Sequence, residues 1–257
     1  MISISKFSKT FGRGTPNEVA ALNSVDIDIK TAEFVSLIGS NGSGKSTLLN
    51  AIAGSFLGDA GKIIIDNVDV TSWQEYKRAK FLGRVFQNPY LGTASSMTIA
   101  ENLQLAYLRG QPKQFRIGLT QHQRKHLQER IAEFGMGLEN RMDTPIGLLS
   151  GGQRQALTLL MATLHRPKIL LLDEHTAALD PASAEQVLYM TEKIIAIYGL
   201  TALMVTHSME QAVGFGNRLI MMNQGKVAWD VSNDEKYCLT ADDLVTKFRD
   251  MHVQISL

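Results

Sequence analysis

The chain has 257 residues, of which 44% are hydrophobic and 20% are charged, a composition typical of a folded globular protein. Its formal net charge of +1 argues against the basic surface with which proteins hold nucleic acid or an anionic membrane. The single cysteine, Cys238, excludes an intrachain disulfide and favours a reducing compartment.

No apolar run approaches the roughly 18 residues that a transmembrane helix needs. The first residues alternate polar and apolar side chains and lack the continuous apolar segment of a signal peptide. We therefore expect a soluble, cytoplasmic chain that reaches a membrane only through a partner.

The first part of the chain reads as strands interrupted by short helices. Alternating residues at 2–7 and 25–29 predict half-exposed antiparallel strands, and the apolar run at 34–38 predicts a buried one. The elements that follow are a helix at 45–53, a strand at 63–65, a short helix at 74–80 and a strand at 83–86.

The later part of the chain has a different rhythm. Helical periodicity extends from about residue 98 to 134, and Ser150 is the predicted N-cap of a further helix. Strand, helix and strand then alternate, which predicts a parallel sheet covered on both faces. These three elements lie at 169–172, 182–198 and 201–206, followed by strands near 218–222 and 226–229 and a final helix from Ala241.

A glycine-rich segment between the strand at 34–38 and the helix at 45–53 fits G-x-x-x-x-G-K-[ST], a phosphate-binding loop. Its glycines let backbone N–H groups point at phosphate oxygens, and the helix N-terminus adds partial positive charge. We expect Lys45 to reach the β- and γ-phosphates, Ser46 to ligate Mg²⁺ and Thr47 to bind the α-phosphate. The predicted nucleotide-binding residues are Gly39, Ser40, Asn41, Gly42, Ser43, Gly44, Lys45, Ser46 and Thr47.

Two carboxylates, Asp173 and Glu174, end the apolar strand at 169–172. Open parallel sheets bind ligands at the carboxyl ends of their strands. Because neighbouring strand residues point to opposite faces, we expect two different roles. Asp173 belongs to the Mg²⁺ shell, through water, and Glu174 is the general base for an attacking water. A pair that only caps the strand is the alternative, which the nearby phosphate loop disfavours.

A second glycine turn, LLSGGQRQ, opens the helix that Ser150 caps. Such a helix N-terminus is a second site for an anion. One nucleotide cannot easily use two helix N-termini held in the same rigid domain. A symmetric dimer, in which the second turn of each chain caps the nucleotide held by the other, resolves the difficulty.

This second turn carries a family resemblance. Leu149, Ser150, Gly151, Gly152 and Gln153 resemble the signature motif of ATP-binding cassette (ABC) ATPases, the nucleotide-binding subunits of ABC transporters. The resemblance implies that the turn binds the γ-phosphate of the ATP held by the partner chain.

Four further positions match motifs of that family in the expected order, over about residues 2–230. Gln87 resembles the glutamine that contacts Mg²⁺ and the attacking water and abuts the membrane partner. Asp180 resembles the aspartate of a loop that crosses the dimer interface, and His207 resembles the histidine that contacts the γ-phosphate. Phe11 lies where the family stacks an aromatic ring on adenine, although an ordinary core phenylalanine is the alternative.

The resemblance also implies the fold: an α/β phosphate-loop NTPase core with a mostly parallel sheet, an N-terminal antiparallel β subdomain and a helical subdomain that carries the signature motif. We expect the core and the antiparallel part at about 1–90 and 165–232, and the helical subdomain at about 91–164. A C-terminal tail occupies about 233–257.

The chain departs from the commonest family pattern at a few positions. His175 and Ala177 stand where many members carry proline and serine. Neither change removes a catalytic group, but His175 can alter the local pKa or the backbone freedom beside Glu174, because a histidine titrates near neutral pH. Phe11 replaces the more usual tyrosine and keeps an aromatic face for stacking.

The resemblance implies that the chain is an ATPase. Two copies of it would bind two ATP·Mg²⁺ between them and drive a separate transmembrane permease. The preferred system is a bacterial small-solute importer, possibly for an amino acid, with an extracytoplasmic substrate-binding protein and with the ATPase on the inner face of the membrane.

Two other functions are weighed against this one. A soluble ABC ATPase, of the iron–sulfur assembly type for example, keeps the same chemistry without transport. A regulator that binds nucleotide without hydrolysing it is disfavoured, because such a protein needs neither Glu174 nor His207. A client that is a nucleic acid is also disfavoured, because the near-zero net charge does not indicate a basic binding surface.

Overall fold

The computed structural model describes residues 1–109 and 118–253, with side chains up to residue 250. The predicted helical segment at 98–134 and the predicted tail at 233–257 each include residues outside these ranges. None of the helices in the described ranges has the length and apolar character needed to cross a membrane.

The strands of the described residues form two sheets. In chain order they are β1 (Ile2–Phe11), β2 (Val19–Ile29), β3 (Phe34–Gly39), β4 (Ala60–Ile65), β5 (Val68–Asp69), β6 (Leu82–Val85), β7 (Ile169–Asp173), β8 (Thr201–Val205), β9 (Arg218–Asn223) and β10 (Lys226–Ser232).

The helices lie between and around these sheets. They are α1 (Lys45–Ala53), α2 (Glu75–Arg78), α3 (Ile99–Tyr107), α4 (Gln121–Ala132), α5 (Gly151–Thr163), α6 (Pro181–Tyr198), α7 (Met209–Gly214), α8 (Asp234–Tyr237) and α9 (Ala241–Val253), with 3₁₀ turns at Pro89–Gly92, Leu138–Arg141 and Ile146–Leu148.

The smaller sheet is antiparallel, with the strand order β2-β1-β4-β5. Along β2, the buried residues Val25, Ile27 and Ile29 alternate with the exposed residues Asp26 and Asp28. This alternation confirms the half-exposed strands predicted at 2–7 and 25–29. Both strands run further than predicted, because cross-strand pairing continues to the pair Phe11 and Val19.

The larger sheet has the order β10-β9-β3-β8-β7-β6 and is parallel except for the pair of β9 with β10. Successive residues of β7 belong to different hydrophobic clusters. Leu170 and Leu172 pack with residues of α3, α4 and α5, whereas Ile169 and Leu171 pack with residues of α1 and the antiparallel sheet. The predicted parallel sheet covered on both faces is therefore confirmed, and the fold is the expected α/β phosphate-loop type.

Candidate functional site

The predicted phosphate loop connects β3 to α1. Gly44 caps the helix with a φ of 103°, a conformation that side chains other than glycine rarely adopt. A Cβ atom at Gly44 would also lie 2.6 Å from the backbone oxygen of Ala21. Glycine is thus required where the loop turns into α1, and the first N–H groups of this helix face the loop.

Lys45 is the first residue of α1 and is 5% exposed. Its ammonium group donates hydrogen bonds to the backbone oxygens of Gly39, at 2.8 Å, and Ser40, at 3.0 Å. Burial lowers the pKa of Lys45, and the charges of Glu174 and Asp173 oppose that shift. The predicted lysine therefore lies in the field of both predicted carboxylates.

Asp173 ends β7 between two polar groups. The Ser46 hydroxyl donates to Oδ1 of Asp173 at 3.4 Å, and Nη2 of Arg84 lies 3.7 Å from Oδ2. Arg84 also donates from Nη2 to Oδ1 of Asn50 at 2.6 Å. Burial raises the pKa of Asp173, and the positive charge of Arg84 partly opposes this. The structure therefore brings the predicted metal residues Ser46 and Asp173 together.

Arg84 is a member of this site that was not predicted from the sequence. The available signal was a lone charged residue in the short strand β6, between the buried residues Gly83 and Val85. A charge is kept in such a strand only when a partner compensates it. That partner, Asp173, lies far away in the sequence.

Glu174 follows β7 rather than extending it. Its φ is 47°, in the left-handed region, and its N–H donates to the backbone oxygen of Val205 at 3.1 Å. The two carboxylates were expected to point apart because neighbouring strand residues face opposite sides of a sheet. That reason is wrong, since a backbone turn at Glu174, and not strand alternation, separates its side chain from that of Asp173. Oε1 of Glu174 lies 2.6 Å from Nε2 of His207, so the predicted base and the predicted switch histidine are in direct contact.

His175 is 2% exposed, and its Nε2 lies 3.1 Å from the Thr191 hydroxyl on α6. Burial lowers the pKa of His175 to about 4. The expectation that this histidine titrates near neutral pH beside Glu174 is therefore wrong. It is neutral at physiological pH, since its environment disfavours the charged form.

The second glycine turn has the predicted cap. Oγ of Ser150 accepts a hydrogen bond from the backbone N–H of Gln153 at 3.2 Å, and Oε1 of Gln153 accepts one from the Ser150 N–H at 3.3 Å. Gly152 packs against Ser183 of α6 so closely that a Cβ atom would lie 2.8 Å from the Ser183 side chain. The two hydrogen bonds between Ser150 and Gln153 form a capping box. Ser150 and Gly151 are exposed at the start of α5.

The turn opens on a hollow of about 330 Å³. The residues that line it are Gly135, Met136, Ser150, Gly152, Gln153, Ser183 and Gln186. None of the nine residues of the phosphate loop is among them. The hollow at the second glycine turn is thus formed without any residue of the phosphate loop.

The remaining predicted residues occupy separate places. Asp180 is the N-cap of α6 and accepts a hydrogen bond from the Ser183 N–H at 3.0 Å, which places it beside the signature turn. Gln87 is exposed just after β6 and has no hydrogen-bond partner among residues 1–109 and 118–250. Phe11 is 40% exposed, which contradicts the core alternative, and the Phe56 ring meets it edge-on at 5.2 Å. Phe56 was not predicted.

Comparisons with known proteins agree with this geometry. The family described as ABC transporter matches residues 22–177. The chain is 44% identical, over 250 residues, to a tyrosine transport ATP-binding protein of Clostridioides difficile, and the match covers 96% of this chain and 98% of that protein. It is 32% identical to an energy-coupling factor transporter ATP-binding protein of Clostridium tetani, covering 89% of this chain and 78% of that one.

Solved structures give the same result. A dimeric ATP-binding cassette in a post-hydrolysis state, bound to ADP and Pi, has a TM-score of 0.77 and 29% identity over 90% of this chain and 98% of that chain. The ADP conformation of an ATP-binding cassette of an ABC transporter has a TM-score of 0.80 and 25% identity over 98% of both chains. The chain has a phosphate loop, a carboxylate pair and, at Ser150, the glycine turn that we call the signature turn. It belongs to the ABC transporter family and is an ATP-hydrolysing member of that family.

Proposed function

We propose that two copies of this chain close around two ATP·Mg²⁺ and that this closure drives a separate membrane permease. The observation that carries the proposal is the separation of the two glycine turns. The turn at Ser150 opens on a hollow to which the phosphate loop contributes no residue. Both turns are helix N-termini suited to phosphate, so a second copy is needed for both to contact one nucleotide.

The nucleotide site has the groups that hydrolysis needs. Glu174 accepts a proton from water while the water oxygen bonds to the γ-phosphorus, and ADP leaves as the bridging bond breaks. His207, 2.6 Å from Glu174, orients that carboxylate and faces the γ-phosphate. Gln87 positions the water from the loop after β6, and Phe11 stacks on adenine.

Magnesium fits the oxygen donors of this site. Ser46 and Asp173 are already in contact, and among the described residues the buried Ser43 hydroxyl has no hydrogen-bond partner. Mg²⁺ is held in such sites by one or two protein oxygens together with phosphate oxygens and water. Bound there, the ion neutralises negative charge on the phosphates.

The permease docks, in our proposal, in a cleft of about 630 Å³ beside α3 and β6. Its apolar lining includes Leu105, Leu108 and Met161. The exposed residues Tyr76 and Leu91 are chain neighbours of Glu75 and Gly92, which also line the cleft. An apolar cleft of this kind can bind the apolar face of an amphipathic helix from a partner. The docking region predicted at 87–110 extends to Gly110, which lies outside the described residues. Through this contact the chain is held at the cytoplasmic face of the membrane.

The same proposal includes the division of the chain into a core at about 1–90 and 165–232, a helical subdomain at about 91–164 and a tail from about 233. Its support is that α3, α4 and α5 contact one another within the proposed helical subdomain, while their apolar cluster continues into Leu170 and Leu172 of β7 in the core.

For the transported solute we propose an amino acid, taken up together with an extracytoplasmic binding protein. The support is the 44% identity to a protein named for tyrosine transport. We assign the choice of solute to the permease and the binding protein. Besides the docking cleft and the hollow at the signature turn, the described residues form a hollow of about 700 Å³ between Trp73 and Arg109 and one of about 30 Å³ on α6.

Purification from native membranes in mild detergent, followed by mass spectrometry, tests the proposal. We expect a multi-span permease to accompany the chain. A soluble complex without any membrane protein would instead support the ABC ATPase that is not coupled to transport, and the ATP chemistry would stand.

A further inference from the structure

Arg154 is a buried cation in the first turn of α5. It is 2% exposed, and its Nη2 donates to the backbone oxygens of Ile146, Gly147 and Leu149 at 3.0, 3.1 and 3.4 Å. These oxygens belong to the 3₁₀ turn and the residue just before Ser150. Arg154 therefore holds the chain segment that leads into the signature turn.

Among the described residues, this guanidinium has no carboxylate partner to neutralise its charge. Within the described residues no carboxylate forms an ion pair with Arg154, and its buried Nε has no hydrogen-bond partner. A positive charge near a helix N-terminus is also opposed by the helix dipole. Backbone oxygens alone offset only part of the cost of burying a cation.

Tyr90 supplies the missing compensation. The Arg154 guanidinium lies 3.8 Å from the centroid of the Tyr90 ring, well within the range of a cation–π interaction. The backbone of Tyr90 is fixed in turn, since its N–H donates to Oδ1 of Asn88 at 3.0 Å. Tyr90 is 55% exposed whereas Arg154 is buried, so the tyrosine covers the arginine from the solvent side.

Tyr90 also lies in a segment that α5 holds by a second contact. Nε2 of the buried Gln155 donates to the backbone oxygen of Phe86 at 3.0 Å, immediately before Gln87. The segment after β6 and the start of α5 are thus joined on both sides of Gln87. A displacement of this segment would be transmitted to the turn that Arg154 holds.

We propose that Tyr90 is a positioning residue for the signature turn: its stack on Arg154 keeps Ser150 and Gly151 in the orientation that caps the nucleotide of a second copy. This inference rests on the proposed ATP-dependent dimer. Without the ring, water reaches the guanidinium, Arg154 is free to turn toward solvent, and the 3₁₀ turn before Ser150 loses its donor.

The experiment measures ATP-dependent dimerisation of the full chain in solution, without permease. Glu174→Gln slows hydrolysis and preserves the ATP-bound dimer, and Tyr90→Ala is added to it. We expect the dimer to weaken about tenfold or more, since one cation–π contact is lost in each of two copies. The affinity of the monomer for a fluorescent ATP analogue stays within about twofold, because Tyr90 does not touch the phosphate loop.

Two variants make the test specific. Tyr90→Phe keeps the ring face and should restore dimerisation to within about twofold, whereas a role of the phenol hydroxyl would leave it impaired. Tyr237→Ala removes another exposed tyrosine, on α8, with 66% exposure against 55% for Tyr90, and should have no effect. If Glu174→Gln alone forms no dimer, the proposed sandwich is wrong; if it dimerises equally well with and without Tyr90→Ala, the role of Tyr90 is wrong.

Discussion

Substitution of the buried His175 by glutamine should make the folded chain more resistant to acid. In the unfolded chain this imidazole takes up a proton below about pH 6.5, whereas in the folded chain burial lowers its pKa to about 4. Between these values the unfolded state binds the additional proton. The free energy of unfolding of the wild type therefore falls as the pH drops from 6.5 to 4, and His175 contributes nothing to this pH dependence above 6.5.

The size of the effect follows from the shift. A change of about 2.5 pKa units corresponds to roughly 3 kcal/mol, most of which is lost by pH 4.5. The imidazole is 2% exposed, so solvent screening does not reduce this figure much. Glutamine carries an N–H donor that can reach the Thr191 hydroxyl and has no proton to gain in this range.

Urea unfolding followed by circular dichroism at pH 7.5, 6.5, 5.5 and 4.5 measures the difference between wild type and His175→Gln. Their free energies of unfolding should converge by about 2–3 kcal/mol between pH 7.5 and 4.5, or cross if glutamine packs well. His126→Gln, an exposed position on α4, is the matched control and should follow the wild type. If His175→Gln loses stability in parallel with the wild type, the buried neutral histidine is not the cause and the reasoning is refuted.

Three further variants test the nucleotide site and the signature turn. Lys45→Ala removes the buried ammonium of the phosphate loop and should weaken ATP binding by about 100-fold or more; calorimetry that finds affinity within a few-fold of wild type would contradict the assignment. Ser150→Ala combined with Gly151→Asp should cost about 1 kcal/mol of stability, because the helix cap is lost. It should also lower the rate of hydrolysis, while each monomer binds nucleotide as before. Normal turnover in a phosphate-release assay would count against the assigned role of the signature turn. Arg84→Met leaves Asp173 without its ion-pair partner and should lower the melting temperature by several degrees; an unchanged thermal scan would mean that the 3.7 Å pair contributes little.

Local patterns were sufficient wherever one short segment holds all the necessary information. The phosphate loop needs only the glycines and Lys45 between a strand and a helix, and the capping box at Ser150 needs only a residue three positions later. The alternation at 25–29 reports directly which side of β2 is buried. The short strand β5 (Val68–Asp69) was missed because two residues cannot establish a period.

The sequence by itself thus determined the types of the longer elements, the phosphate and signature turns and the identity of the two carboxylates. Only the tertiary structure decided which distant groups meet. The contacts of Glu174 with His207, of Asp173 with Arg84 and of Tyr90 with Arg154 each join different elements. They depend on the strand order of the larger sheet and on the packing of α5 beside β6. The physical reason is that burial and charge compensation are properties of neighbours in space, which a local pattern of side chains does not contain.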